Sequence, residues 1–84
     1  MKKYKCPCCG YYTLREVGSD TYEICRVCYW EYDLLSIQYP DEVSGANAIT
    51  LNQARENFMT FGASEERLTP FVRLPESSEY PEER

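Results

Sequence analysis

Histidine is absent from this 84-residue chain, so a reactive cysteine would have no imidazole beside it to act as a base. Long hydrophobic runs, internal repeats and lipidation motifs are also missing, and residues 1–30 contain no hydrophobic segment of the secretory type. These absences disfavour a cysteine enzyme and a membrane partner. They lead us to expect a cytoplasmic protein, whose thiols stay reduced.

Basic residues are few, since nine lysines and arginines face fourteen aspartates and glutamates, for a formal net charge of −5. Four ionised cysteines and one divalent zinc ion would take that formal charge from −5 to −7. Such acidity disfavours general binding to nucleic-acid phosphates. A short basic arm before the first cysteine keeps nucleic acid open as an alternative partner; it consists of Lys2, Lys3 and Lys5.

Five cysteines are present, and four of them form two Cys-x-x-Cys pairs, Cys6 with Cys9 and Cys25 with Cys28. Two intervening residues allow a tight turn to aim both thiolates at one tetrahedral ion, with Zn–S distances near ~2.3 Å. The spacing therefore predicts one structural zinc ion held by all four thiolates. A disulfide framework is disfavoured by the odd number of cysteines. A rubredoxin-like iron centre stays open, because aromatic residues crowd both pairs.

Cys8 is the remaining thiol, and the two-residue gap within each pair places it outside the ligand set. We interpret it as a small filler beside the metal, with a redox switch as the alternative. A zinc ion closed by four thiolates has no open coordination position for water or substrate. The predicted site therefore indicates a protein that is not an enzyme.

The region between the cysteine pairs has the pattern of a β-hairpin. Residues 11–14 have strand composition, residues 18–20 form a turn, and residues 21–24 lead back towards the second pair. Pairing of these two segments would bring the four cysteines together. After the second pair, residues 29–35 fit either a third strand or a helical turn, and residues 36–48 fit an irregular acidic loop.

A helix is predicted over about residues 51–61. Thr50 and Gln53 match a capping box at its start, and Gly62 supplies its end. Apolar residues at helical spacing form one face that is expected to cover the aromatic side of the hairpin: Leu51, Ala54, Phe58 and Phe61.

Together these elements predict a small α+β fold, in which a zinc-ribbon β-hairpin packs against a C-terminal α-helix and depends on the metal for stability. The single domain is expected to span residues 1–74. Residues 75–84 hold four glutamates and one arginine and are predicted to be an extended acidic tail.

Polar residues around the second cysteine pair, the following loop and the helix are the candidates for binding a partner; they are Glu31, Asp33, Asp41, Glu42, Arg55 and Asn57. Irregular spacing of the carboxylates disfavours acid–base chemistry or a second metal site. Arg55 is expected to pair with one of Glu31, Asp33 and Asp41, and so to join helix and loop. Asn57 is expected to cap a loop carbonyl or to face the partner.

Several motifs follow one another in a fixed order along residues 4–74: Cys6-Pro7-Cys8-Cys9-Gly10-Tyr11, Tyr22-Glu23-Ile24-Cys25-x-Val27-Cys28-x-Trp30-Glu31, Ala54-Arg55-x-Asn57-Phe58 and Phe61-Gly62. On these motifs the chain resembles the small bacterial proteins of the cysteine-rich CPCC family. Members typically have proline in place of Arg26 and an acidic residue in place of Tyr32. The resemblance implies a bacterial cytoplasmic module and supplies no catalytic residue.

The function that these observations favour is a non-enzymatic, zinc-stabilised module for protein–protein interaction. A sharper form is an immunity protein that neutralises a basic bacterial toxin, such as a nuclease, by covering its positive cleft. Two alternatives stay open: a nucleic-acid-binding zinc ribbon and a redox protein that uses thiols or iron. The sequence does not indicate an oligomeric state.

Overall fold

The computed structural model describes residues 3–18 and 21–81. Within these residues the elements are two short strands, two α-helices and two 3-10 helices: β1 Tyr4–Lys5, β2 Tyr12–Leu14, α1 Leu34–Gln38, α2 Leu51–Phe61, and the 3-10 helices Glu66–Phe71 and Ser77–Glu79. The fold is therefore a small α+β fold with a two-stranded antiparallel sheet. No helix in the described ranges has both the length and the apolar character needed to cross a bilayer.

The strand that follows the first cysteine pair has a different partner from the one predicted. β2 pairs antiparallel with β1, so that Tyr4 lies opposite Leu14, and the expected pairing of residues 11–14 with residues 21–24 is wrong. The cause is the turn that contains the cysteines themselves, because Cys6 N donates to Tyr11 O at 2.8 Å and Gly10 N donates to Cys6 O at 2.9 Å. This turn, residues 6–10, is called knuckle 1, and it reverses the chain by itself.

The second cysteine pair lies in a similar turn, residues 25–29, which is called knuckle 2. Cys25 N donates to Trp30 O at 2.9 Å and Tyr29 N donates to Cys25 O at 2.8 Å. Beyond the turn, Ile24 and Glu31 form an antiparallel bridge. The protein thus contains two small hairpins, each of which turns at its own cysteine pair. Of the turn predicted at 18–20, Ser19 and Asp20 lie outside the described residues.

α1 resolves the ambiguous stretch after knuckle 2. Asp33 is its N-cap and accepts a hydrogen bond from Leu35 N at 3.1 Å, so the chain turns into a helix directly after the bridge at Glu31. The helix buries Ser36, which is 1% exposed, and turns Leu35 and Ile37 outward. Part of the predicted irregular loop is therefore helical.

α2 occupies the predicted range. The Thr50 side chain accepts from Gln53 N at 3.0 Å, and Gly62, with φ of 79°, donates its backbone N–H to Phe58 O at 2.9 Å. The apolar face is buried only over its first part, because Leu51 and Ala54 are 0% exposed whereas Phe61 is 40% exposed. α2 therefore contributes to the core mainly through its N-terminal half.

The core is built around the cysteines. Trp30, which is 1% exposed, is the largest of the fully buried side chains, and its indole Nε1 has no hydrogen-bond partner among the described residues. The other buried members are Cys6, Cys8, Leu14, Cys25, Val27, Cys28, Tyr32, Leu51 and Ala54. Three of the four cysteines of the Cys-x-x-Cys pairs lie within this small apolar cluster and Cys9 packs against it, so a metal held by the four would contribute directly to the stability of the core.

The C-terminal segment differs from the predicted extended tail. Glu79 is 1% exposed, its carboxylate pairs with the Arg73 guanidinium at 2.7 and 2.9 Å, and the Tyr80 ring lies 5.1 Å from the Tyr11 ring. A two-point ion pair and an aromatic contact compensate for the scarcity of aliphatic residues. Residues 75–81 therefore pack on the body of the protein, and residues 82–84 lie outside the described ranges.

Candidate metal centre

Four cysteine sulphurs come together where the two knuckles meet. The Sγ atoms of Cys6, Cys9, Cys25 and Cys28 all lie within 4.8 Å of one another. Cys6 Sγ is 3.6 Å from Cys28 Sγ, and Cys9 Sγ is 3.7 Å from Cys25 Sγ. A regular tetrahedron with metal–sulphur bonds of about 2.3 Å has its sulphurs about 3.8 Å apart. These separations suit one tetrahedral ion, and none of the five cysteines forms a disulfide.

The backbone of each knuckle sets the direction of its thiols by the same means. The residue that ends each turn has a positive φ, which is 84° for Gly10 in knuckle 1 and 68° for Tyr29 in knuckle 2. Glycine adopts this conformation without steric penalty, whereas tyrosine is strained in it by about 1–2 kcal/mol. The Tyr29 ring lies 5.5 Å from the Phe71 ring, and this contact helps to hold the strained turn.

Hydrogen-bond donors approach one sulphur in particular. The Thr13 hydroxyl oxygen lies 2.9 Å from Cys25 Sγ, and Val27 N donates to the same sulphur at 3.4 Å. Such donors stabilise a thiolate and orient it towards the metal. Thr13 is the residue of this site that the sequence interpretation missed, and its only signal was a hydroxyl in the strand that leaves knuckle 1.

The electrostatics of the cluster favour a bound cation. Hydrogen bonds from Cys28, Cys6 and Cys9 lower the pKa of the Cys25 thiol. The hydrogen bond to Cys25 is in turn the main cause that raises the pKa of the other three thiols. Ionisation of one thiol therefore disfavours ionisation of the others, unless a positive charge lies among them. A divalent ion supplies that charge for all four thiolates.

Cys8 is buried, with 7% exposure, and is not one of the four clustered cysteines. It occupies the variable position inside knuckle 1, as the spacing predicts. Cys9 differs from the other three clustered cysteines because it is only half-buried. The site is thus closed on the side of knuckle 2 and reaches the surface at Cys9.

Within the described residues Arg55 pairs with none of Glu31, Asp33 and Asp41, so that prediction is wrong. Its Nε donates to Pro7 O at 2.9 Å, and its Nη1 donates to Asn52 Oδ1 at 3.0 Å. The carbonyl of Pro7 points out of knuckle 1 towards α2, where the guanidinium lies closer to it than to any carboxylate of the loop. Arg55 therefore joins α2 to the metal site.

The remaining candidates for binding a partner do not form one cluster. Asp33 is only 4% exposed and is bonded to Leu35 N and to the Ser44 hydroxyl, so its role in the structure is to hold α1 and the loop. Asp41 accepts from Asn52 Nδ2 at 2.7 Å, and Asn57 Nδ2 donates to Ser64 O at 2.9 Å. These residues are engaged in intramolecular hydrogen bonds, although Asp41 itself is exposed.

Glu31 and Glu42 remain available to a partner. Glu42 is exposed, and the half-buried Glu31 has no hydrogen bond or ion pair to its carboxylate within residues 3–18 and 21–81. The Glu31 backbone is instead held by the Asn47 side chain, at 3.1 Å to its nitrogen and 2.9 Å to its oxygen. Asn47 thus bonds to the backbone of Glu31 where a neighbouring strand would otherwise do so. No local sequence pattern predicts this role.

The fold and the four clustered thiols define a small cysteine-rich domain that can hold one metal ion. The chain belongs to the family described as Cysteine-rich CPCC, whose model matches residues 4–79. The resemblance seen in the sequence is therefore confirmed. No curated protein and no solved structure shows significant similarity to the chain.

Proposed function

We propose that this protein is a non-enzymatic, zinc-stabilised module that binds a basic partner protein. The observation that carries the proposal is the orientation of α1, which buries Ser36 and exposes Leu35 and Ile37. A helix that serves only the fold would do the reverse, because burying leucine and isoleucine stabilises a domain by about 1.5–3 kcal/mol for each side chain. The exposed residues are therefore available for a second molecule.

Further exposed apolar residues follow those of α1 along the chain. Four large apolar residues are exposed by 40–58% within residues 35–43, and two acidic residues lie among them. We call this set the α1 face: Leu35, Ile37, Tyr39, Asp41, Glu42 and Val43. Single exposed apolar residues are ordinary, but four of them within residues 35–43 support the use of this segment as a binding surface. The acidic residues and the net charge of −5 favour a basic partner.

Zinc is the metal that the site favours. Soft thiolate ligands in tetrahedral arrangement suit zinc, and four of them leave no open position for catalysis. Five free thiols are also consistent with a reducing compartment such as the cytoplasm. We expect native mass spectrometry to find one zinc ion per chain. One iron per chain, with visible absorbance from thiolate–iron bonds, would support the redox alternative instead.

The sharper form of the proposal is that the partner is a basic toxin, such as a nuclease, and that this protein confers immunity to it. An acidic surface with apolar anchors can cover a positive cleft, and its charge speeds the encounter. This form predicts a stoichiometric complex that inhibits the toxin. Its association rate should fall as salt concentration rises.

The proposed function is tested by affinity capture from the native cell with matched variants. The double variant Leu35→Ser and Ile37→Ser should lose a co-purified basic protein that the wild type retains. Met59→Ser is the control, because Met59 is 84% exposed on α2 and lies outside the α1 face. Equal zinc content and circular dichroism spectra ensure that all three proteins are folded. The proposal is refuted if nothing is captured under mild conditions, or if the double variant captures the same proteins.

Nucleic-acid binding makes a different prediction. It requires the basic arm, of which Lys3 and Lys5 are exposed and Lys2 lies outside the described residues. The affinity would then fall steeply with salt and with neutralisation of these lysines. We expect no mobility shift of single- or double-stranded nucleic acid at physiological salt.

A further inference from the structure

We propose that Glu31 is the anchor point for the partner, and that the partner presents a lysine or arginine to it next to an apolar side chain. This inference rests on the proposed function, because it requires a protein partner. It adds the position of the binding site and the chemistry of the segment that occupies it. The α1 face then becomes the neighbouring part of a larger contact.

Two open clefts meet at Glu31 and Ala46. The first has a volume of about 400 Å³ and is walled by Tyr22 and Leu35, with Gly45 at its side. Tyr22 is 56% exposed and Leu35 is 52% exposed, so both present apolar surface to an incoming side chain. This cleft is continuous with the α1 face, because Leu35 belongs to both.

The second cleft, of about 180 Å³, also has Glu31 in its wall. It is lined by the apolar groups of Ile24, Tyr29 and Leu68 and by the polar side chains of Asn47, Glu65 and Arg67. Apolar surface therefore adjoins Glu31 in both clefts. A segment that crosses Glu31 can place an apolar side chain in either cleft while its cation reaches the carboxylate. Central anchors of this kind supply most of the affinity in protein interfaces.

Glu31 differs from the other acidic residues that line the clefts, because the carboxylates of those residues already have partners. Asp33 is bonded to Leu35 N and the Ser44 hydroxyl, and Glu65 is paired with Arg67 at 2.9 Å. The Glu31 carboxylate has no such partner in the part of the chain that the structure describes. A cationic side chain would neutralise it, whereas an acidic or wholly apolar segment would leave a half-buried carboxylate desolvated and unpaired. The cleft thus selects for positive charge.

The backbone beneath Glu31 is firmly held. Asn47 bonds to both backbone groups of Glu31, and the flanking Trp30 and Tyr32 are 1% and 5% exposed. Knuckle 2 lies directly before this segment, so the metal fixes its start. A carboxylate on a rigid backbone loses little conformational entropy on binding, which favours a specific contact.

The test uses the whole zinc-loaded protein and a library of randomised seven-residue peptides displayed on phage. We expect enriched sequences to combine lysine or arginine with an aromatic or aliphatic residue. An enriched peptide is then synthesised, and its affinity is measured by fluorescence anisotropy. Glu31→Gln and Leu35→Ser should each weaken the affinity by about tenfold, because each removes one half of the anchor. Glu56→Gln makes the same change of charge at an exposed position on α2, outside the clefts and the α1 face, and should alter the affinity by less than about twofold.

Several results would overturn the anchor. These are the absence of any enrichment, enrichment of sequences without a cation, and equal losses for Glu31→Gln and Glu56→Gln. Self-association of the protein that Leu35→Ser abolishes would also overturn it, because a second copy would then cover the cleft. If a basic protein captured from the cell still binds the Glu31→Gln variant, the proposed function stands and the anchor does not. If no protein is captured from the cell while the peptides bind as expected, the result supports the binding cleft at Glu31 and refutes the proposed function.

Discussion

Knuckle 1 and knuckle 2 both end in a residue with positive φ, but different contacts stabilise the two turns. Knuckle 1 ends in Gly10, and its outer side is held from α2 through the bond from Arg55 to Pro7 O. Knuckle 2 ends in the strained Tyr29, and Ser64 N donates to Cys28 O at 2.8 Å. The first turn is thus favoured by its own sequence, and the second is held by contacts from distant parts of the chain. A turn that presents two cysteines to the metal can therefore be stabilised either by its local sequence or by tertiary contacts.

Loss of the metal should have the largest effect on stability, and both knuckles should respond to it in the same way. Structural zinc contributes on the order of 10–16 kcal/mol in small zinc domains, which equals or exceeds the stability of most domains of this size. A chelator should therefore unfold both knuckles together, as measured by far-UV circular dichroism. Zinc added back should restore the spectrum. An unchanged spectrum after verified metal removal would contradict this dependence.

Single ligands should differ in a way that sharpens the comparison. Cys28→Ser, at a fully buried ligand of knuckle 2, should abolish zinc binding, whereas Cys9→Ser at the half-buried edge should leave weak binding with a faster metal release. Zinc release can be followed with a chromogenic chelator. Cys8→Ser is the control and should keep the wild-type zinc content, since Cys8 is not one of the clustered cysteines. Equal loss from Cys9→Ser and Cys28→Ser would show that the two half-sites are equivalent.

The C-terminal segment joins the two knuckles, and its ion pair is the next largest contribution. Arg73 N donates to Arg26 O of knuckle 2 at 3.3 Å, while Tyr80 packs on Tyr11 beside knuckle 1. Glu79→Gln should lower the free energy of unfolding by about 1–3 kcal/mol, because it removes the negative charge with which the buried Glu79 side chain pairs with Arg73. Urea denaturation measures the change, and the exposed Glu66→Gln is the matched control.

The difference in stability between wild type and Glu79→Gln should depend on pH in a definite direction. The hydrogen bond from Arg73 holds the pKa of Glu79 below its ordinary value in the folded protein. A lowered folded pKa stabilises the protein above the unfolded pKa, near ~4.3, and that contribution is lost as the pH falls through the folded value. The gap between wild type and Glu79→Gln should therefore be full at neutral pH and shrink in acid. Comparing two zinc-bound proteins at each pH cancels the effect of metal loss. A gap that is constant from neutral to acid pH would contradict the pairing.

Polar contacts to the two knuckles should differ in strength. Thr13→Val removes the hydroxyl from buried Cys25 Sγ and should destabilise the protein by about 1.5–3 kcal/mol, because the acceptor is a thiolate. Arg55→Met removes a bond to the neutral Pro7 carbonyl at the surface and should cost about 0.5–1.5 kcal/mol. Thermal unfolding of the zinc-bound proteins ranks the two. The reverse order would mean that knuckle 1 depends more on tertiary contacts than knuckle 2.

Substitutions at the residues that end the knuckles should also have modest effects on stability. Gly10→Ala should destabilise by about 1–2 kcal/mol, since alanine is strained at φ of 84°. Tyr29→Gly relieves a similar strain but loses the contact with Phe71, so the result should lie within about 1 kcal/mol of wild type. Denaturant midpoints measure both. A large loss for Tyr29→Gly would mean that the aromatic contact outweighs the backbone strain.

Features with a local cause could be predicted from the sequence. The two-residue gap within each cysteine pair places four thiols together, and Thr50, Gln53 and Gly62 set the ends of α2, because the relevant contacts lie within a few residues. The strand pairing was mispredicted because each knuckle closes its own hairpin, so the segments on either side of residues 18–20 need not meet. The missed contacts of Thr13 and Asn47 depend on how distant segments meet.

The candidate binding surface was predicted less well for the same reason. Asp33 and Arg55 have the composition of surface residues, yet one caps α1 and the other holds knuckle 1. Glu79 looked solvated in an acidic tail, and its burial depends on Arg73 six residues earlier. Only the tertiary structure shows which carboxylates near knuckle 2 already have a hydrogen-bond or ion-pair partner. Composition therefore indicated an acidic binding surface, but not which residue of it is unpaired.

Trp30 gives the protein a built-in optical probe. It is the single tryptophan of the chain, it is 1% exposed, and it lies between Cys28 and Glu31. Its fluorescence therefore arises from one place, at the junction of the metal site with the proposed anchor. A shift of emission to longer wavelength should report the opening of knuckle 2 without any label. Binding at Glu31 and release of the ion can thus be followed in one cuvette and separated in time.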